Sequence, residues 1–153
     1  MSAGGDPEDI RAWQRLSDTV TTSGRLEKRD PARLATIGVR HVVNLALHDH
    51  PEALAEENAR LAEHGIAYTH IPIPFDEPDE EHYAAFRAAL AAAEGPVHVH
   101  CIMNWRVSAL FYRLHREQGM GEAHAAAIMR EQWDPATSRH PAARAWAELI
   151  AAA

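Results

Sequence analysis

The most constraining feature of this 153-residue sequence is an alternation between short apolar runs and longer amphipathic segments. The run at residues 41–47 (HVVNLAL) precedes a helical pattern at 51–64, and the run at 97–100 (VHVH) precedes another that closes near Gly119. Short buried runs separated by helices of this length are typical of parallel strands joined by crossover helices. We therefore expect an α/β fold, with a mainly parallel four-stranded sheet flanked by helices on both faces.

The other elements follow from the same periodicities and from the positions of glycine and proline. Strands are predicted at residues 18–23, 41–47, 67–73 and 97–100, and helices at 7–16, 30–38, 51–64, 79–93, 121–132 and 141–152, with one more containing Leu110 and Leu114. The length suits one hydrophobic core, and no repeat or long linker divides the chain. We expect a single domain over residues 1–153, with roughly the first six residues flexible.

The charge balance argues against several classes of partner. Fifteen Lys and Arg against 22 Asp and Glu give a net charge of -7, which disfavours a general binder of nucleic acid or of an acidic membrane surface. No apolar run approaches the length of a membrane span, since even the alanine-rich stretch 84–93 contains Arg87. The N-terminus has no secretory pattern, so we expect a cytoplasmic protein.

Cys101 is the only cysteine, which excludes an internal disulfide and the CxxC frameworks of zinc and redox sites. It begins the turn CIMNWR (residues 101–106) between a predicted strand and a predicted helix. Loop N–H groups and a helix N-terminus favour an anion there, and together with Arg106 they favour a thiolate. The guanidinium of Arg106 could also hold two oxygens of a phosphate, sulfate or vanadate.

Ligands of parallel α/β sheets bind beyond the carboxyl ends of the strands. That rule brings three segments to one edge of the predicted sheet: the Cys101 turn, the acidic loop after Ile73, and residues 48–50.

The segment VHVHC, followed by Arg106 and a serine-containing helix, resembles the cysteine-dependent protein phosphatases of the tyrosine and dual-specificity class, whose signature is HC-x5-R-[ST]. HCIMNWRVSA is more similar to a bacterial branch of phosphatase-like domains with a shortened HC-x4-R loop, sometimes joined to metallo-β-lactamase-fold hydrolases. The similarity covers roughly residues 13–119, including VVNLAL and an I-P-x-x-F-D segment.

This resemblance implies a cysteine-dependent phosphatase that needs no metal or cofactor and acts on a phosphorylated protein or small molecule. It assigns Cys101 as the nucleophile, Arg106 as the clamp on the phosphoryl oxygens, and Asp76 as the general acid. Glu77, Asp79 or Glu80 could hold the acid role instead. The phosphate-binding loop would also contain Ile102, Met103, Asn104 and Trp105.

Two departures from the wider signature lead to specific expectations. The loop lacks the usual glycine, so Asn104 is the best candidate for a left-handed backbone conformation. Ser108 still lies seven positions after Cys101, although Arg106 lies only five after it, so we expect the Ser108 hydroxyl to hydrogen-bond the thiolate. His100 is expected to orient the loop through a hydrogen bond, and Asn44 either braces the loop or ends its strand.

Other interpretations of these residues remain open. A cysteine at a strand end can be a buried apolar residue. The pairs His98/His100 and His48/His50 could suggest a metal, but no third ligand has a recognisable spacing. Trp105 either lines the substrate entrance or packs at the sheet edge. Core packing is the expected role of Trp13, Trp133 and Trp146.

Two other functions fit the same residues. A six-residue loop beginning at Cys101 also suits a rhodanese-like sulfurtransferase. Because a shortened loop offers fewer N–H groups, it could alternatively belong to an idle phosphate- or phosphoprotein-binding module.

Overall fold

A computed structural model describes residues 5–151 of the chain. Its strands are β1 (Gln14–Arg15), β2 (Val20–Ser23), β3 (His41–Asn44), β4 (Ala67–His70) and β5 (Val97–His100). Its helices are α1 (Asp30–Thr36), α2 (Glu57–Ala62), α3 (Glu80–Ala92), α4 (Trp105–Glu117), α5 (Glu122–Arg130) and α6 (Ala143–Ala151). The strands form one sheet in the order β1-β2-β5-β3-β4.

The parallel α/β sheet predicted from the sequence is confirmed. Strands β2, β5, β3 and β4 are parallel to their neighbours, and only β1 is antiparallel, to β2. The register sets Asn44 beside both His70 and His100, so β3, β4 and β5 end together at one edge. The expectation that the loops following these strands share an edge is therefore confirmed as well.

The sheet has five strands rather than four, because the segment predicted as a helix at residues 7–16 contains turns and β1. Ala12 has a left-handed backbone with φ 54°, which no α-helix contains. Instead of forming helical hydrogen bonds, the Arg11 carbonyl accepts from Gly24 N at 2.7 Å and the Ala12 carbonyl from Asn104 Nδ2 at 2.9 Å. Contacts with distant residues override the local helical pattern here.

The predicted helix at residues 51–64 is also much shorter in the structure. Helix α2 begins only at Glu57, after Glu56, whose φ of 57° interrupts the helical backbone. The late start places Glu57 facing inward, where it is 3% exposed. Strands β3 and β4 likewise end three residues before their predicted limits, at Asn44 and His70.

Helices cover both faces of the sheet, as expected. On one face, Val42 packs with Leu34 of α1 and Leu61 of α2. On the other, Val43 and Val99 join a larger core with residues of the last four helices, Tyr83, Phe86, Val107, Leu110, Met129 and Trp146. Trp133 and Trp146 belong to this core, which confirms the packing role predicted for them.

Some expectations concern the chain ends. Residues 1–4, 152 and 153 lie outside the described residues, and Asp6 is held by Arg15, whose Nε and Nη2 both lie 2.7 Å from its carboxylate oxygens. The expected flexibility of the first residues stays a prediction. Within residues 5–151, no helix has the length and apolar character needed to span a membrane.

Candidate active site

The Cys101 loop (residues 101–106) connects β5 to α4 at the carboxyl edge of the sheet. Cys101 is 1% exposed, and its N–H points to the Ser23 carbonyl at 3.4 Å. The Ile102 carbonyl accepts from Arg25 N at 3.0 Å. A side chain at Gly24 would overlap that carbonyl oxygen, so a glycine is required where the end of β2 meets the loop.

Asn104 gives the loop its turn. Its φ of 67° is left-handed, which confirms the expectation for this residue. Its Nδ2 donates to the Ala12 carbonyl at 2.9 Å and to Thr22 Oγ1 at 3.1 Å, and its Oδ1 accepts from the Ser108 hydroxyl at 3.0 Å. The side chain thus compensates for the missing glycine by hydrogen-bonding the loop to Ala12, just before β1, and to β2.

The same geometry corrects the role expected of Ser108. A hydroxyl has one proton to donate, and that of Ser108 goes to Asn104 rather than to the Cys101 sulfur. Within residues 5–151, the sulfur has no hydrogen bond from Ser108. The physical reason is the residue just before α4: Asn104 lies four positions before Ser108 and offers its amide oxygen, a strong acceptor, to the hydroxyl.

Arg106 is 9% exposed and is oriented by backbone carbonyls. Its Nη1 donates to Ile73 O at 3.0 Å and to Leu45 O at 3.3 Å, and its Cζ lies 5.6 Å from the centre of the Phe75 ring. Its Nε is a buried donor without a partner among the described residues. A buried donor without a partner is costly, so we expect Arg106 Nε to bind an additional acceptor such as an anionic oxygen.

His100 holds the loop from below, as expected. Its Nδ1 lies 3.2 Å from the Cys101 carbonyl, which can only accept, and its Nε2 lies 2.6 Å from Glu57 Oε2. Burial by itself would lower the pKa of His100, but the charge and hydrogen bond of Glu57, together with the Cys101 carbonyl and Asp30, raise that pKa. The imidazole therefore favours the cationic form, with both ring nitrogens donating.

Glu57 is a site residue that sequence reasoning missed. It is one of several acidic residues in the segment predicted as a helix, and nothing in its spacing distinguishes it. Asn44 connects to it, because its Nδ2 lies 3.4 Å from Glu57 Oε1 and 3.1 Å from the Tyr68 hydroxyl. Asn44 is the last residue of β3, and its Oδ1 accepts from Ala46 N at 2.9 Å. Asn44 therefore ends its strand, and among the described residues its hydrogen bonds reach the loop only through Glu57 and His100.

The other histidines of the two predicted pairs, His48, His50 and His98, have structural partners. Both ring nitrogens of His98 lie 2.8 Å from hydroxyls, those of Thr21 and Ser23, and burial holds its pKa well below the usual value. His48 Nε2 lies 2.8 Å from the Tyr68 hydroxyl, and His50 Nδ1 accepts from Glu52 N at 2.9 Å. Hydrogen bonds within the fold therefore account for the positions of His48, His50 and His98.

Asp76 lies on the segment between β4 and α3, next to Phe75, and its side chain is exposed. Within residues 5–151, no hydrogen bond or ion pair engages its carboxylate. Two of the alternative acids are engaged elsewhere: Asp79 caps α3 by accepting from His82 N at 3.0 Å, and Glu80 pairs with Arg113 at 2.9 Å. Glu77 is exposed, like Asp76.

The Phe75 ring joins this acidic segment to the loop. Its centre lies 6.0 Å from the Trp105 ring and 5.4 Å from the Trp133 ring. Trp105 itself stacks on Trp133 at 5.1 Å with an angle of 5° between the planes. Trp105 is half-buried and packs between two aromatic rings, whereas Met103 is the exposed loop residue at 43%.

Comparisons with known proteins agree with this geometry. Residues 12–115 match the model of the family described as "Beta-lactamase hydrolase-like protein, phosphatase-like domain". A DUF442 protein of Shewanella putrefaciens CN-32 is 26% identical, with a TM-score of 0.79 over 95% of this chain and 92% of that one. No protein with a curated functional description matches the chain.

A second solved structure is TpbA of P. aeruginosa, in a form with a cysteine replaced by serine and in complex with phosphotyrosine. It is 22% identical, with a TM-score of 0.71 over 97% of this chain and 93% of that one, and so shares the fold. The family match spans both β5 and the loop that carries Cys101 and Arg106. The chain therefore belongs to the family of phosphatase-like domains of β-lactamase hydrolase-like proteins.

Proposed function

We propose that this protein hydrolyses a phosphomonoester through a cysteinyl-phosphate intermediate on Cys101. The observation that carries the proposal is the buried guanidinium of Arg106, whose Nη1 donates to two carbonyls while its Nε has no partner within residues 5–151. That arrangement on the loop that begins with Cys101 suits a tetrahedral anion held over the sulfur. The phosphotyrosine bound to TpbA, a protein of the same fold, supports a phosphorylated substrate.

In the first step, the Cys101 thiolate attacks phosphorus, and the S–P bond forms as the bond to the leaving oxygen breaks. Asp76 donates its proton to that oxygen, which departs as an alcohol. In the second step, a water molecule attacks phosphorus, Asp76 takes a proton from it, and the S–P electron pair returns to sulfur. Arg106 and the loop N–H groups hold the phosphoryl oxygens throughout, and the same groups would bind phosphate, sulfate or vanadate.

Asp76 is our proposed acid because it combines a free carboxylate with a position beside the loop. Asp79 and Glu80 are engaged in the helix cap and in the pair with Arg113. Glu77 shares the exposure of Asp76, but it lies one residue further from Phe75, whose ring contacts Arg106. The substitutions Asp76→Asn and Glu77→Gln thus form a matched pair that tests the assignment.

The test is aryl phosphatase activity of the wild type, Cys101→Ser, Asp76→Asn and Glu77→Gln. We expect no turnover by Cys101→Ser, a loss of roughly 100-fold or more in kcat for Asp76→Asn, and a small change for Glu77→Gln. Acid quenching during turnover should trap phosphate on the wild-type protein. Thiosulfate-to-cyanide transfer without phosphatase activity would instead identify a sulfurtransferase, and would overturn the proposal.

One observation favours a second candidate, a module that binds phosphate groups with little turnover. The second step expels the Cys101 thiolate, and the Ser108 hydroxyl that could stabilise it is engaged by Asn104. Tight vanadate binding, no steady-state turnover and no change in affinity on Cys101→Ser would support this candidate. A burst of one product equivalent followed by slow turnover would instead show an enzyme limited by its second step.

A further inference from the structure

We infer that Trp146, in the C-terminal helix α6, is a positioning residue for Asp76. The inference rests on the proposed function, because it concerns how the general acid reaches the leaving oxygen. Its basis is the hydrogen bond from Trp146 Nε1 to the Phe75 carbonyl, 2.7 Å long and made by a fully buried side chain.

This hydrogen bond acts directly on the residue that carries the acid. The Phe75 carbonyl and the Asp76 N–H belong to the same planar peptide unit. Holding the carbonyl oxygen therefore restricts the orientation of this peptide plane and of the N–Cα bond of Asp76, from which the side chain extends. Phe75 and Asp76 are the two central residues of a turn, since Glu77 N donates to the Pro74 carbonyl at 3.1 Å.

The segment before Asp76 is anchored at two points that belong to different parts of the fold. Arg106 Nη1 holds the Ile73 carbonyl at 3.0 Å, and Trp146 Nε1 holds the Phe75 carbonyl. The first anchor comes from the phosphate-binding loop itself, and the second from a helix outside the residues 12–115 that match the family model. Beyond the second anchor, the Asp76 side chain is exposed.

Aromatic packing reinforces the second anchor. The Phe75 ring lies 5.8 Å from the Trp146 ring and 4.8 Å from the His140 ring, both in the C-terminal region. On the other side it lies against the guanidinium of Arg106. Phe75 therefore connects α6 both to the adjacent Asp76 and to the guanidinium of Arg106.

The experiment exploits the dependence of rate on the leaving group. A general acid matters most when the departing oxygen is basic, so loss of its alignment slows phenyl phosphate far more than 2,4-dinitrophenyl phosphate. We expect Trp146→Phe, which removes the N–H and keeps an aromatic ring, to lower kcat/KM for phenyl phosphate about tenfold and for the dinitrophenyl ester less than threefold. The readout is kcat/KM because it reports the first step, in which the leaving oxygen departs, and not the second step that both esters share. Asp76→Asn should show the same selectivity to a larger degree.

The matched control is Leu149→Ala, which loosens the packing of α6 but leaves the indole N–H in place. It should keep the wild-type ratio of the two rates, because a general loss of packing does not discriminate between leaving groups. If Trp146→Phe does not fold, 3-benzothienylalanine at position 146 replaces the N–H by sulfur in a ring of nearly the same size, and the same change in the ratio is expected.

The outcomes separate this inference from the proposed function. An equal fall of kcat/KM for both substrates in Trp146→Phe, or a change in the ratio of the two kcat/KM values in Leu149→Ala as well, would overturn the positioning role and leave the phosphatase intact. If the wild type turned over neither substrate, both proposals would fall together.

Discussion

His100 and Glu57 form a buried pair directly below the Cys101 loop, with Nε2 and Oε2 2.6 Å apart and both side chains at most 3% exposed. The other ring nitrogen of His100 faces the Cys101 carbonyl. The carboxylate therefore acts on the loop through the imidazole, by keeping both nitrogens in the donor state.

This pair predicts a pH dependence of stability. Because the pKa of His100 is raised in the folded state, its contribution is fully present below the unfolded pKa and is lost as pH rises through the folded pKa. Glu57→Gln should destabilise the protein by about 3–5 kcal/mol at low pH, where the pair is fully formed, and by less at high pH. Urea unfolding of both proteins between about pH 6 and pH 9 checks this sign.

Glu63→Gln is the control for this prediction, since it removes an exposed carboxylate just after α2. It should leave both the stability and its slope with pH nearly unchanged. An equal loss of stability in Glu57→Gln at all pH values would show that His100 is not charged in the folded state.

The left-handed backbone of Asn104 predicts an unusual order of substitutions. Asn104→Ala and Asn104→Gly both lose the hydrogen bonds to Ala12, Thr22 and Ser108, but only alanine adds the steric cost of a Cβ at φ 67°. Asn104→Gly should therefore be more stable than Asn104→Ala by about 1 kcal/mol, the reverse of the usual order of these residues within helices. Urea unfolding of the two variants measures the difference.

Gly24→Ala should disturb the Cys101 loop without touching a loop residue. The added Cβ would overlap the Ile102 carbonyl, which is backbone and cannot rotate away. We expect a loss of about 1–3 kcal/mol in stability and a vanadate affinity at least tenfold weaker. Gly121→Ala is the matched control, because no atom lies within 4 Å of a Cβ there, and it should bind vanadate normally.

Arg106→Lys should separate charge from geometry at the anion clamp. A lysine keeps the positive charge but cannot span Ile73 O, Leu45 O and two anion oxygens with a planar fork. Vanadate affinity should fall at least tenfold, as measured by inhibition of aryl phosphatase activity or by calorimetry. Arg116→Lys changes an exposed arginine of the same helix and should have no effect; comparable affinities for the two variants would argue against a bidentate clamp.

Local patterns were sufficient for the elements that carry the loop. Strand β5 has the predicted bounds of 97–100, because a short β-branched run between Gly95-Pro96 and a helix has few alternatives. Asn104 could be chosen for the left-handed position because the steric preference belongs to the residue itself. The role predicted for Ser108 was wrong because it depends on more than the residue itself. The loop shape decides which acceptor the Ser108 hydroxyl can reach, and that acceptor is Asn104.

The residues that sequence reasoning missed act across long separations in the chain. Glu57 and His100 are 43 positions apart, and Trp146 and Phe75 are 71 apart. Strand β1 similarly stands where a helix was predicted. The carbonyls of residues 11 and 12 accept hydrogen bonds from Gly24 and Asn104 instead of from helical N–H groups. Periodicity reports which face of an element is buried, but it does not identify the partner that the face meets.

The sequence by itself determined the α/β order, the parallel strands and the strand–loop–helix unit from Cys101 to Arg106, because each depends on preferences spanning only a few residues. Only the tertiary structure decided that Glu57 charges His100, that Asn104 claims the Ser108 hydroxyl, and that Trp146 holds the peptide before Asp76. Those relationships depend on which buried donor meets which acceptor once the layers pack. A buried polar group without a partner is costly, so each of these hydrogen bonds stabilises the fold.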